Sequence, residues 1–172
     1  MWKTIEGSRY LLLPNSEKSS CFGCSPNNPY GLQMEFYTNE DGDLVVSWYS
    51  VPERFCGWGD VVHGGVVSTI LDEAMGWACI TLVRKLLLSK TIEVDFLRPV
   101  RSGKEIRVEG SVCEIVNDRE AVMQGCIYDD RNEACARAYS IVSLFTLDAA
   151  RRSGTIDEAL LRSFERIVNA GH

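Results

Sequence analysis

One carboxylate stands out in this 172-residue chain. Asp72 lies in the run Val66-Val67-Ser68-Thr69-Ile70-Leu71-Asp72-Glu73-Ala74-Met75-Gly76-Trp77-Ala78, where most neighbours are apolar. An acid is rarely buried in such surroundings without a partner or a task. It can activate a water as a general base, or attack an electrophilic carbon itself. The plain structural alternative is a buried ion pair. Glu73 is turned about 100° away round a helix, which makes it a supporting residue rather than a second reacting group.

Just upstream stands His63-Gly64-Gly65. The first N–H groups of a helix lack intrahelical partners, and the helix dipole favours negative charge there. Gly64 and Gly65 have no side chains to keep a ligand away. Together they can hold a carbonyl oxygen as it gains negative charge. Without that role they would simply permit a tight strand-to-helix turn. His63 is expected to orient the turn through hydrogen bonds more than to act as a base. Ser89 and Thr91 offer hydroxyls that can bind a water or the acid. Arg98, Arg101 and Lys104 cluster around Pro99 and Gly103, where they can hold phosphate groups or form an ordinary solvated turn. Cys21-Phe22-Gly23-Cys24 is a CxxC, but a metal site needs two more ligands and no second CxxC exists. Cys56 and His63 are the conceivable completions. No metal and no cofactor are expected.

These residues need elements to position them. Val66, Val67, Ile70, Leu71, Ala74, Met75, Trp77, Ala78 and Leu82 recur at helical spacing from 64 to about 86. So few polar positions predict a helix covered on most faces, ending near Arg84 and Lys85. Residues 14 to 31 read as loop. Leu32, Met34 and Phe36 alternate as a strand, Asp41-Gly42 turns, and Leu44 to Tyr49 returns. Pro52 to Asp60 reads as loop. Strands are predicted over Thr91–Leu97, Glu105–Val116, Glu120–Tyr128 and Ala134–Phe145, in an antiparallel meander. An amphipathic helix is predicted from Thr155 to Val168, capped by Thr155 or Ser153. The fold class is α+β: one long helix wrapped by an antiparallel sheet.

The stretch Val62-His63-Gly64-Gly65 through Asp72 to Ala78 resembles the central-helix signature of hotdog-fold thioesterases. It is most similar to the phenylacetyl-CoA-type branch, related to 4-hydroxybenzoyl-CoA thioesterases, in which a carboxylate follows the His by nine residues. Thr91-Ile92-Glu93-Val94-Asp95-Phe96-Leu97-Arg98-Pro99-Val100 resembles the strand that follows in that family. Cys21-Phe22-Gly23-Cys24 to Gly31-Leu32 recurs in some members. The resemblance covers roughly residues 21 to 146, with an N-terminal extension over 1–20 and a C-terminal helix at about 155–168. It implies an acyl-CoA thioesterase with Asp72, His63, Gly64 and Gly65 at its centre; Ser89, Thr91, Arg98 and Arg101 remain the candidates for binding the substrate. Some relatives carry an Asn six residues before the His, to position the water; this chain has Gly57 there. A non-catalytic acyl-CoA-binding module and a hotdog hydratase or dehydratase are the alternatives.

Bulk composition bounds the rest. Apolar residues make up 45% and charged residues 24%, as in ordinary globular domains, so one domain spanning 1–172 is expected. The net charge of −6 leaves no basic surplus for a nucleic acid. Seven cysteines spread through apparent strands and helices, with no long apolar leader, predict free thiols and a cytoplasmic location. No membrane span is expected. Gly64 and Asp72 stand eight residues apart, about 12 Å along one helix, whereas a carbonyl and its attacking water lie about 3 Å apart. One helix therefore cannot supply both groups to one carbonyl. An antiparallel copy from a second subunit can, which predicts a homodimer, or a dimer of dimers, with composite sites.

Overall fold

Hydrophobic patterning produces one long helix held in the curve of a large antiparallel sheet. The computed structural model describes residues 2–5, 7–15, 19–154, 156 and 158–169. The strands are β1 (Trp2–Ile5), β2 (Ser8–Leu12), β3 (Tyr37–Asn39), β4 (Val45–Ser50), β5 (Cys56–Trp58), β6 (Val61–Val62), β7 (Leu86–Phe96), β8 (Glu105–Asn117), β9 (Glu120–Tyr128) and β10 (Ala134–Phe145). The α-helices are α1 (Gly64–Ala78), α2 (Leu147–Ser153) and α3 (Glu158–Asn169). Eight strands form one sheet in the order β1-β2-β3-β4-β8-β9-β10-β7, and β5 pairs with β6 in a small hairpin. This is the hotdog fold.

The helix α1 packs on β4, β7, β8, β9 and β10. Its buried face (Val67, Ile70, Leu71, Ala74, Met75 and Ala78) meets Ile106 and Val108 of β8, Met123 and Ile127 of β9, and Ala136 and Ala138 of β10 in one core. A Cβ on Gly110 of β8 would stand 2.4 Å from the Ala74 carbonyl oxygen, so glycine there lets the helix lie close to the sheet. The ring of Trp77 stacks on Phe36 at 5.2 Å. A π-helical turn, Cys79–Val83, continues α1, and Arg84 ends it in the left-handed region at φ 59°.

Several expectations need correction. Leu32, Met34 and Phe36 are buried alternately as predicted, but they lie outside the sheet. Their extended segment bonds to loops instead: Leu32 N–H to Phe22 O (2.8 Å) and Met34 N–H to Gly23 O (3.0 Å). The second strand of the second hairpin, with Gly42 at φ 71° in its turn, is as predicted. Pro52–Asp60 holds a 3-10 turn and β5 rather than loop alone. β7 begins at Leu86, so Ser89 sits within the strand. The N-terminal extension forms β1 and β2, which add to the main sheet through β3.

The predicted C-terminal helix is α3, Glu158–Asn169, and a short helix outside the predicted range, α2, precedes it. Thr146 caps α2 by accepting from Ala149 N–H, and Gly154 at φ 64° ends it. Ser153, one of the two expected caps, is the last residue of α2 and donates to Ala150 O at 2.9 Å. Thr155 lies outside the described residues. Gly64–Val83 is long and apolar enough to cross a membrane by length and composition alone, but half of it is buried inside the fold. In this fold it is the core helix inside the sheet.

Candidate functional site

The site begins where β6 ends and α1 starts. His63 is held by its N–H to Phe55 O (3.0 Å) and adopts extended backbone angles at the helix N-cap. Its Nδ1 accepts from Gly65 N–H at 3.0 Å. That bond requires a neutral ring with its proton on Nε2. The His63 carbonyl accepts from Val66 and Val67 N–H. Among the described residues, Gly64 N–H alone of this first turn has no acceptor. The cap role expected of His63 is what the geometry contains, and Gly65 N–H is already engaged by it. Gly57 lies beside His63: a Cβ there would sit 3.4 Å from the His63 ring carbon Cδ2.

Two turns further, Asp72 is half-buried at the edge of a cavity of about 330 Å³. Ser89 Oγ, from β7, donates to Asp72 Oδ1 at 2.8 Å. This bond fixes one carboxylate oxygen and leaves the other open to accept. Gly76, Trp77, Ile80, Leu87 and Leu88 give the cavity apolar walls. Leu160, Phe164 and Ile167 of α3 close another side. Sequence reasoning missed this wall, because nothing local to α3 says which surface it covers.

The same cavity reaches a group of residues that the spacing alone did not join. Glu73 also lines it, together with Cys21 and Cys24. Burial pushes the Glu73 carboxyl up to about 7, helped by the negative charge of Cys21. Trp77 Nε1–H donates to Glu73 Oε1 at 3.3 Å, and Cys21 Sγ lies 3.6 and 3.7 Å from the two carboxylate oxygens. The hydrogen bond from the Cys24 thiol, with main-chain N–H groups of Cys24 and Gly23, holds the Cys21 thiol down at about 5. The partner thiol of Cys24 is pushed up by that same bond and by burial. A Cβ on Gly23 would meet the end of the Glu73 side chain, so a larger residue there would push that carboxylate aside. Cys56 and His63, considered from the sequence as further ligands, are not in this cluster.

The remaining predicted residues fall elsewhere. Thr91 is exposed on β7, and its carbonyl accepts from Ser140 Oγ. Arg98 donates to Ala134 O (2.8 Å) and pairs with Glu133 (3.5 Å). Arg101 pairs with Asp60, beside the hairpin that leads into His63. Neither arginine lines the Asp72 cavity. Gly64 and Asp72 lie on the single helix α1, eight residues apart.

Comparison with known proteins adds three findings. Residues 59–136 match the Thioesterase superfamily. Verlamelin biosynthesis protein B of a Lecanicillium species is 27% identical over 95 residues, a match covering 40% of this chain and 41% of that protein. The chain thus spans well under two thirds of that curated relative. Among solved structures, a thioesterase superfamily protein aligns with TM-score 0.67 at 18% identity, over 72% of this chain and 60% of its own. The E. coli PaaI protein from the phenylacetic acid degradation operon aligns with TM-score 0.60 at 18% identity, over 66% and 80%. A hypothetical thioesterase from Streptococcus pneumoniae, solved with coenzyme A, aligns with TM-score 0.57 at 16% identity, over 60% and 82%. Identities this low speak for the fold. The match over 59–136 contains both the His63-Gly64-Gly65 turn and Asp72, so the hotdog-thioesterase resemblance read from the sequence stands.

Proposed function

Starting from a chain whose residues 59–136 match the Thioesterase superfamily and whose sheet wraps one helix in the hotdog manner, we propose that it hydrolyses acyl-CoA thioesters. The observation that carries this is the Asp72 carboxylate, oriented by Ser89 Oγ at the edge of an apolar cavity. The cavity takes the acyl group. Asp72 acts as general base, using the oxygen that Ser89 leaves open to take a proton from water. The water oxygen attacks the thioester carbon, and the carbonyl oxygen becomes an oxyanion. Gly64 N–H at the positive end of α1 stabilises that charge. The tetrahedral intermediate then collapses. The carbon–sulfur bond breaks, the CoA thiolate leaves and recovers the proton from Asp72, and the free acid forms.

The donor for the oxyanion comes from the α1 of a second copy, because the rise along one helix is about 12 Å between the two groups. Exposed apolar side chains support such a dimer. Leu88, Ile92 and Phe96 on β7 and Tyr139 and Ile141 on β10 are all exposed. The Phe96 ring lies beside Gly64, so this surface adjoins the turn that must meet a partner's Asp72. Arg101 and Lys104 stand near the same hairpin and can meet phosphates of coenzyme A, which the S. pneumoniae protein of like fold holds. Free thiols throughout fit the reducing cytoplasm.

The test is a hydrolysis screen over short, medium, long and aryl acyl-CoA thioesters, read by release of free CoA thiol. Turnover abolished by Asp72→Asn supports the assignment. Tight binding of acyl-CoA with no release of thiol makes the chain a binding module instead. Water addition to an enoyl-CoA, with the thioester intact, makes it a hydratase.

A further inference from the structure

We propose that Cys21, Cys24 and Glu73 form a site for a thiophilic divalent cation, Zn²⁺ by its chemistry, which staples the loop before β3 to the central helix. Glu73 is distant in sequence from the two cysteines, but the ligand atoms of all three residues lie within 4.8 Å of one another. The proposal stands on this geometry and does not depend on which thioester the protein acts on.

The Cys21–Glu73 spacing suits a tetrahedral centre. Zinc holds sulfur at about 2.3 Å and carboxylate oxygen at about 2.0 Å, which places the two ligand atoms about 3.5 Å apart at a tetrahedral angle. Cys21 Sγ stands 3.6 and 3.7 Å from the oxygens of Glu73. The outer contacts are also those a metal site uses. Gly23 N–H donates to Cys21 Sγ at 3.3 Å, and Trp77 Nε1–H orients the Glu73 carboxylate at 3.3 Å. Among the described residues no basic side chain pairs with Glu73. A buried carboxylate beside two thiols lacks a positive charge, and a cation supplies one. Two thiolates with one carboxylate select Zn²⁺ over Mg²⁺ or Ca²⁺, which take oxygen ligands.

The loop is built before any ion arrives. Asn15 Nδ2 donates to Cys24 O at 2.6 Å, and Ser25 N–H closes a turn on Cys21 O at 3.2 Å. Leu32 and Met34 N–H bind the carbonyls of Phe22 and Gly23, between the two cysteines. The sulfurs are therefore held in place rather than gathered by the metal. The cavity that these three residues share with Asp72 leaves room for a water as fourth ligand.

The experiment is a Co²⁺ titration of the reduced, chelator-stripped full chain. One equivalent should produce tetrahedral visible bands and a thiolate-to-cobalt charge-transfer band in the near ultraviolet, both erased by Zn²⁺. Cys21→Ser or Cys24→Ser should lose the charge-transfer band. Glu73→Gln, close to isosteric, should keep a band but bind at least about tenfold more weakly. Circular dichroism shows that each variant is folded. The proposal fails if folded, reduced wild type gives no band, or if binding survives both cysteine changes. It fails equally if the two cysteines only form a disulfide and the reduced pair binds no Co²⁺.

Discussion

The Asp72 carboxylate carries the proposed chemistry through one oxygen, since Ser89 occupies the other at 2.8 Å. Asp72→Asn keeps the shape and removes the base, so kcat should fall about 10² to 10⁴ with the fold intact. Near wild-type turnover would point instead to Glu73 or His63. Ser89→Ala leaves the base but frees its orientation. It should cost about 10- to 100-fold, the rate equivalent of one charge-assisted hydrogen bond. Steady-state kinetics on both variants check this pair. Glu73 has a different signature. Burial keeps its carboxyl protonated up to about 7, against about 4.3 in an unfolded chain. Its contribution to stability is complete below about 4.3 and is lost as pH rises through 7. Cys21 runs the other way: held down at about 5, against about 8.5 unfolded, it stabilises at high pH and loses that as pH falls through 5. The two oppose one another between pH 5 and 7. In reduced, metal-stripped protein, Glu73→Gln should therefore gain stability steadily from about pH 5 to 8, where wild type is flatter below 7. Urea midpoints across that range decide it, and parallel profiles would refute the coupling. Asp72 was legible in the sequence because an acid interrupts an apolar helical run. The meeting of Glu73 with Cys21 was not, because 52 positions separate them and only the fold brings them together.

At the level of elements, the strands with strict alternation and polar turns were the readable ones. β9 and β10 run over the predicted residues, and β8 ends one residue later. Elements set by distant partners were not readable. Residues 32–36 alternate like a strand, yet their N–H groups satisfy the Cys21–Cys24 loop instead of a neighbouring strand. The first hairpin has little apolar pattern of its own and exists because β3 offers it an edge. The short helix α2, ahead of the predicted C-terminal helix, was not readable either; Gly154 ends it with a left-handed angle. The contact of α1 with β8 gives the sharpest test at this scale. Gly110→Ala would put a methyl 2.4 Å from the Ala74 carbonyl oxygen, where main chain must move. Overpacking of this kind costs about 1–3 kcal/mol. A urea midpoint unchanged within about 0.5 kcal/mol would mean that helix and sheet can separate freely. Gly125→Ala, on β9, meets the flexible side chains of Leu71 and Met75 at 3.2 and 3.3 Å and should cost less.

For the whole molecule the question is what covers β7. Among the described residues this edge strand pairs only with β10, and it exposes Leu88 (64%) and Phe96 (58%) to solvent. Large apolar side chains on an open edge are what a second copy of the chain would bury. A twofold axis running across α1 would set the two helices antiparallel, so that each Gly64 could face the other copy's Asp72. Complementation between inactive variants tests this directly. Asp72→Asn removes the base. Gly64→Pro removes the one unengaged N–H of the turn, at a first helical position where proline is otherwise tolerated. A Cβ at 64 would also meet the Phe96 ring only at ordinary contact, 3.5 Å. Each homodimer should be inactive. In a mixed dimer one site receives both damaged groups and the other receives two intact ones. Exchange of subunits should thus restore up to about half of wild-type activity per mixed dimer. Light scattering establishes the dimer, circular dichroism the fold, and a tag on one variant isolates the mixed species. If isolated, folded mixed dimers remain inactive, Asp72 and Gly64 do not meet across an interface. The oxyanion donor must then come from the same chain as the base, and α1 cannot be its source.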